Sequence, residues 1–120
     1  MRNKKDVTAL CHIDEIADPG SRGFRVHTMD KIRDIMVIRR GESVYGYINS
    51  CPHTGVCLDW QPGQFLNIDN ELIICAMHGA EFRIEDGYCV AGPCAGDHLQ
   101  PIELKLDSVK RLIRLAPGNL

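Results

Sequence analysis

The chain is organised around two short segments, CPHTG at residues 51–55 and CAMHGAEF at residues 75–82. Each segment carries one Cys and one His, and each of these pairs lies beside a Gly. Two thiolates and two imidazoles brought together by folding make a four-ligand metal site of mixed softness. Such a set of ligands restricts the candidate metals to zinc or an iron–sulfur cluster.

The order of the four ligands bears on the choice between these metals. It runs Cys51-x-His53, then 21 residues, then Cys75-x2-His78. A Cys2His2 zinc finger instead presents its two thiolates together and its two imidazoles together on a helix. Two irons bridged by sulfides offer a reason for one Cys and one His in each segment, because one iron takes both thiolates and the other takes both imidazoles. A structural zinc module stays open as the alternative.

Both segments resemble the cluster-binding motifs of the Rieske [2Fe–2S] domain, and Gly92-Pro93 is similar to the proline loop of that family. The resemblance covers residues 49 to about 95. It implies an all-β Rieske fold, in which a small antiparallel barrel or sandwich forms the base. A two-loop cluster-binding subdomain would lie at one end of that base, with the proline loop covering the third side of the cluster.

The same resemblance implies one [2Fe–2S] cluster per chain and assigns its ligands. The thiolates of Cys51 and Cys75 would bind the buried ferric iron. The iron nearer solvent would be bound through Nδ1 of His53 and His78, with Nε2 facing outward. The 21 residues between His53 and Cys75 exceed the usual interval in the family, and we place the excess in residues 59–70. The shape of that rim therefore does not follow from the resemblance.

Four positions near the ligands depart from Rieske proteins that resemble those of cytochrome bc complexes. Those proteins carry two disulfide-bonded Cys where this chain has Val56 and Met77, and a Ser and a Tyr where it has Ala80 and Phe82. In that group the two hydroxyls donate to cluster and ligand sulfurs, which stabilises the more negative, reduced cluster. We therefore expect a reduction potential below about 0 mV, toward the low end of the roughly −150 to +300 mV that Rieske centres span.

Length and composition predict one domain. A chain of 120 residues has the size of a single core, and 44% hydrophobic residues supply enough apolar material to build it. We expect the cluster-binding subdomain at about 49–95 and the base in residues 1–48 and 96–120. A formal charge of −2 argues against a nucleic-acid partner, since phosphate recognition needs a clustered positive field.

Location is predicted from what the sequence lacks. No run approaches the roughly 18 apolar residues of a membrane span, and the first residues have no apolar segment of signal-peptide length. We therefore expect a soluble protein in the cytoplasm with no membrane partner. In that reducing compartment, six cysteines are better interpreted as metal ligands and small buried side chains than as three disulfides.

The cysteines and histidines outside the ligand set have plainer interpretations. Cys11 is expected on a strand facing the core, and Cys57 as a small buried side chain. Cys89 and Cys94 flank the proline loop and are expected to pack near the cluster, a disulfide between them being the minor alternative. The remaining histidines have no partner at ligand spacing and are expected to be surface or structural residues: His12, His27 and His98.

Apolar and β-branched runs between Gly/Pro turns predict strands, with little helix. Residues 40–43 are predicted to connect a hairpin that leads directly into the first Cys-His segment. The insert at 58–70 contains two turns and is not expected to be helical. Strands are predicted at residues 8–13, 23–27, 32–39, 44–48, 72–75, 80–84, 88–91, 102–106 and 109–115.

These features predict a soluble, low-potential Rieske-type ferredoxin, which is an electron carrier and not an enzyme. It would receive electrons from an NAD(P)H-dependent reductase and pass them to an oxygenase or similar acceptor, as a monomer docking its redox partners near His53 and His78. The alternative is a small or accessory Rieske subunit of a larger oxidoreductase, similar to the small subunit of nitrite reductase. An apolar apron is predicted around the imidazoles, unless its members are plain rim packing: Pro52, Trp60, Met77, Gly79 and Pro93.

Overall fold

A computed structural model describes residues 8–27, 32–52, 57–59, 61, 63–75 and 79–115. These residues form ten short strands and one 3-10 turn, so the all-β prediction is confirmed. The strands make three antiparallel sheets. Their bounds are β1 Thr8–His12, β2 Gly20–His27, β3 Ile32–Arg40, β4 Ser43–Ile48, β5 Leu72–Ile74, β6 Glu81–Arg83, β7 Cys89–Ala91, β8 Pro101–Ile102, β9 Leu104–Leu106 and β10 Leu112–Leu115.

The largest sheet has the order β2-β3-β4-β8 and carries the predicted hairpin. β3 pairs with β4 in a register that places Arg40 opposite Ser43, so the connection is the two residues Gly41 and Glu42. Gly41 has φ of +64°, a conformation that favours glycine in such a tight turn. Four central positions of β3 are fully buried, which explains its continuous apolar run. The segment that carries Cys51 therefore follows directly after a strand of a rigid sheet.

A second sheet has the order β1-β10-β9, and it corrects one predicted strand. The alternation at residues 102–106 predicted a single strand, but the chain changes sheets at Glu103. Ile102 pairs with Gly46 in the first sheet, whereas Leu104 pairs with Leu115 in the second. A Cβ on Gly46 would lie 2.8 Å from side-chain atoms of both Ile102 and Leu104, so a glycine is required where the two sheets meet.

The third sheet, β5-β6-β7, carries the second ligand segment at its first turn. It shares one hydrophobic core with the hairpin strands: Met36 and Ile38 of β3 belong to the same buried cluster as Ile73 and Phe82. The buried hydroxyl of Tyr47 donates to the carbonyl of Ile84 at 2.6 Å, which joins β4 to the third sheet. Within the described residues, no helix is long and apolar enough to span a membrane.

Candidate metal centre

The first ligand loop leaves β4 at Ile48 and is closed by the side chain of Asn49. Oδ1 of Asn49 accepts a hydrogen bond from the backbone N–H of Leu58 at 2.7 Å, and Nδ2 of Asn49 donates to Asp59 at 3.2 Å. The other carboxylate oxygen of Asp59 accepts from the N–H of Gly63 at 3.2 Å. Asn49 is 9% exposed and its bond from Leu58 is buried, so that bond is shielded from water. One buried amide thus joins the two ends of the loop that contains Cys51 and His53.

Asn49→Ala is expected to destabilise the protein by about 1–3 kcal/mol, because it leaves the buried N–H of Leu58 without its acceptor. It should also shorten the half-life of the bound metal centre, since the first ligand loop loses its closure. Urea unfolding and the decay of visible absorbance measure the two effects. Asn67→Ala is the matched control, because Asn67 closes a turn by accepting from Glu71 and Leu72 at 3.0 and 3.2 Å. Equal decay rates in the two variants would contradict the role given to Asn49.

The described ends of the second ligand loop, between β5 and β6, are hydrogen-bonded to each other. The N–H of Cys75 donates to the carbonyl of Ala80 at 2.9 Å, and the N–H of Gly79 donates to the carbonyl of Cys75 at 2.9 Å. Gly79 has φ of +71°, which a side-chain-bearing residue rarely adopts. The described ends of this loop are therefore held by their own backbone, with Cys75 fully buried at its root.

A third loop, residues 92–97, follows β7 and lies against the second. The N–H of Cys89 donates to the carbonyl of Asp97 at 2.8 Å, which closes the loop at its base. Gly92 approaches the second loop so closely that a Cβ there would lie 2.6 Å from the Cα of Ala80. This is the segment predicted to be the proline loop, and its Pro93 is exposed.

One core cluster contains a buried cysteine from each of these three loops. Cys51 and Cys75, from the first and second loops, are 1% and 0% exposed and belong to one buried cluster. Cys94, from the third loop, is buried with its Sγ 4.0 Å from Sγ of Cys51. Burial raises the pKa of the Cys94 thiol, and the neighbouring Cys51 and Cys89 raise it further.

The described part of the site fits the thiolate half of a [2Fe–2S] centre. Two buried cysteines from separate loops are what an iron shielded from solvent needs as ligands. His53 and His78 lie outside the described residues, so their assignment stays a prediction. Among the residues that are described, no three Cys, His, Asp or Glu side chains converge as a metal site.

Two of the four positions on which the predicted reduction potential depends lie within the described residues. Ala80 and Phe82 are both fully buried in the core cluster that contains Cys75, and neither carries a hydroxyl. Val56 and Met77 fall outside the described residues, as does Trp60 of the predicted apron. The apron members that are described, Pro52, Gly79 and Pro93, are all exposed.

The other cysteines separate into correct and wrong predictions. Cys11 lies on β1 in a core cluster with Ile13 and Ile113, as predicted. Cys89 is buried and its Sγ donates to the carbonyl of Ala91 at 3.2 Å, and neither Cys89 nor Cys94 forms a disulfide. The prediction for Cys57 is wrong, because its side chain is exposed. The adjacent Leu58 is the residue that is fully buried there.

The three remaining histidines are surface or structural residues, as predicted. Nδ1 of His12 accepts from the N–H of Asp14 at 3.1 Å and caps the 3-10 turn Ile13–Glu15. His27 is exposed at the end of β2. Nδ1 of His98 lies 3.1 Å from the carbonyl of Leu99.

The described part of the insert between the ligand loops packs onto β2. The hydroxyl of Ser21 donates to the carbonyl of Gly63 at 2.7 Å and accepts from the N–H of Phe65 at 3.2 Å. Phe65 is fully buried, and Leu66 bridges to Ile73 of β5. The sequence patterns did not predict these bonds of Ser21 or Asn49, although a small polar side chain at a strand end is suited to such bonds with backbone.

The family model of the Rieske [2Fe–2S] domain matches residues 6–110. The chain therefore belongs to the Rieske [2Fe–2S] domain family. Comparison with curated protein sequences gave no match.

Solved structures share the fold at low sequence identity. The ferredoxin of carbazole 1,9a-dioxygenase from Nocardioides aromaticivorans IC177 superposes with a TM-score of 0.71 and 23% identity, covering 93% of this chain and 98% of that one. The Sphingomonas yanoikuyae B1 ferredoxin superposes with a TM-score of 0.69 and 20% identity, covering 94% of this chain and 100% of that one. The terminal oxygenase of carbazole 1,9a-dioxygenase from Novosphingobium sp. KA1 superposes with a TM-score of 0.75 and 18% identity, but only 31% of that chain is covered.

Proposed function

We propose that this protein is a low-potential Rieske-type ferredoxin that carries one electron between a reductase and an oxygenase or other redox enzyme. The observation that carries the proposal is the burial of Cys51 and Cys75, from two separate loops, in one core cluster of a chain of the Rieske family. When bound, a [2Fe–2S] cluster supplies one-electron redox chemistry. The chain as a whole is then one cluster-binding subdomain on a β base, working in a reducing cytoplasm.

Four residues would hold the cluster. Cys51 and Cys75 would bind the inner iron, where burial excludes water from the sulfurs. His53 and His78 would bind the outer iron and face the redox partner. Because all four ligands would come from protein, no position is left for a substrate, and no catalytic residue is assigned.

Structural comparison supports an oxygenase as the electron acceptor. A structure described as a complex of reduced oxygenase and oxidised ferredoxin in carbazole 1,9a-dioxygenase superposes with a TM-score of 0.73 and 20% identity, covering 98% of both chains. In such a pair the ferredoxin is a separate chain. We extend that arrangement to this protein, with an NAD(P)H-dependent reductase as the donor.

Partner docking is proposed near His53 and His78, beside the exposed prolines of the first and third loops. Pro52 and Pro93 are exposed, although each is next to a buried cysteine, Cys51 and Cys94. Both prolines are uncharged, so a partner can approach the centre without desolvating a charge. Exposed Asp97, at the base of the third loop, would attract a basic partner surface. A small contact of this kind suits a transient electron-transfer complex.

The test is spectroscopic and electrochemical. Protein reduced with dithionite should give the absorption and EPR spectra of a Rieske centre, with two iron ions per chain. Zinc in a colourless protein would contradict the proposal. A protein that purifies only with a large second chain would instead favour an accessory subunit.

The midpoint potential is expected below about 0 mV, because the buried positions Ala80 and Phe82 present no hydroxyl to the cluster. Introducing the hydroxyls with Ala80→Ser and Phe82→Tyr should raise it. Protein-film voltammetry measures the midpoint potential of the wild type and of both variants. Phe24→Tyr is the control, since half-buried Phe24 packs against core clusters that exclude the ligand cysteines. A wild-type midpoint above about +150 mV, well up the Rieske span, would contradict the prediction.

A further inference from the structure

The third loop places one buried thiol beside a proposed cluster ligand. Cys94 is 2% exposed, whereas Pro93 and Ala95 on either side of it are exposed. Its Sγ lies 4.0 Å from Sγ of Cys51, at the outer limit for a hydrogen bond between sulfurs. The two residues are 43 positions apart, so the contact is created by folding alone.

The backbone of the third loop holds Cys94 in this position. The N–H of Asp97 donates to the carbonyl of Cys94 at 2.9 Å, and the N–H of Ala95 donates to the carbonyl of Gly92 at 3.1 Å. The Cys94 thiol also interacts with Cys89, whose own thiol donates to the carbonyl of Ala91. Cys89 therefore donates its proton to that carbonyl and not to Cys94.

The direction of the bond follows from the chemistry of a ligand. A cysteine that binds iron does so as a thiolate and has no proton to donate. Between Cys51 and Cys94, the donor must then be Cys94. A thiol is a weaker donor than a hydroxyl, but the site is buried and the acceptor is charged, and both conditions strengthen the bond.

We propose that Cys94 donates its S–H to the sulfur of Cys51 and thereby raises the reduction potential of the cluster. The inference rests on the proposed function, because it takes Cys51 as a ligand. A donor to a ligand sulfur stabilises the reduced cluster more than the oxidised one, since the reduced cluster is more negative. Cys94 is thus a tuning residue in a site whose positions 80 and 82 lack hydroxyls.

The test compares Cys94→Ala with Cys94→Ser by voltammetry. We expect Cys94→Ala to lower the equilibrium constant for one-electron reduction about threefold, which corresponds to a shift of about −30 mV. Cys94→Ser keeps a donor and should lie above Cys94→Ala. A second pair of nearly equal shape, Cys94→Thr and Cys94→Val, separates the donor from packing, and Cys94→Thr should have the higher potential.

Cys11→Ala is the matched control, because Cys11 is a buried cysteine in a different core cluster. It should load cluster and keep the wild-type potential. Equal potentials within each Cys94 pair would overturn the inference. Failure of every Cys94 variant to load cluster, with Cys11→Ala loading normally, would also overturn it and indicate a structural role. Failure of the proposed function is a separate outcome, in which wild-type protein itself gives no Rieske spectrum.

Discussion

Cys75→Ala is expected to lower the iron content and the visible absorbance at least about tenfold, because a ligand thiolate is removed from a site that folding and metal binding build together. Cys75 is fully buried, and its backbone N–H and carbonyl both take part in closing the second loop. The substitution leaves that backbone in place and deletes only the sulfur. Iron analysis and the absorption spectrum of the purified variant measure the effect.

The control for this experiment is Cys11→Ala, which removes an equally small buried thiol from β1. It should cost about 1 kcal/mol of unfolding free energy, as for a small core truncation, and retain full iron. Cys75→Ala with wild-type iron content would show that Cys75 is not a ligand. Loss of iron in both variants would show only that the fold tolerates no cavity.

Gly92→Ala is expected to destabilise the protein by roughly 2–5 kcal/mol, through two separate effects. Gly92 has φ of +97°, which is strained for any residue with a Cβ. The added Cβ would also lie 2.6 Å from Cα and 3.1 Å from N of Ala80, and these backbone atoms cannot move aside cheaply. The third loop must then separate from the second ligand loop.

Gly96→Ala isolates the first effect from the second. Gly96 has the same φ of +97°, but a Cβ there would meet no atom within 4 Å. We expect it to cost only the backbone strain, about 1–3 kcal/mol, and to keep the cluster. Urea unfolding of both variants, together with the rate of cluster loss, gives the comparison. Equal destabilisation would mean that the contact between Gly92 and Ala80 has little effect on stability.

Much of the fold could be predicted because it depends on local patterns. Alternating apolar residues and β-branched runs predicted most strands, and the hairpin of β3 and β4 lies where composition indicated. Errors arose where neighbours distant in the chain decide the outcome. The chain changes sheets at Glu103 because Gly46 lets two strands meet there, and Cys57 points to solvent because Leu58 takes the buried position.

The sequence by itself determined the family and the proposed ligand set. The metal requires particular ligand types, so its Cys and His ligands at close spacing are visible in the sequence itself. Only the tertiary structure decided what surrounds Cys51: the amide of Asn49 that closes its loop, and the thiol of Cys94 at 4.0 Å. The first contact joins residues nine positions apart and the second joins residues 43 positions apart, and the geometry of packed loops creates both.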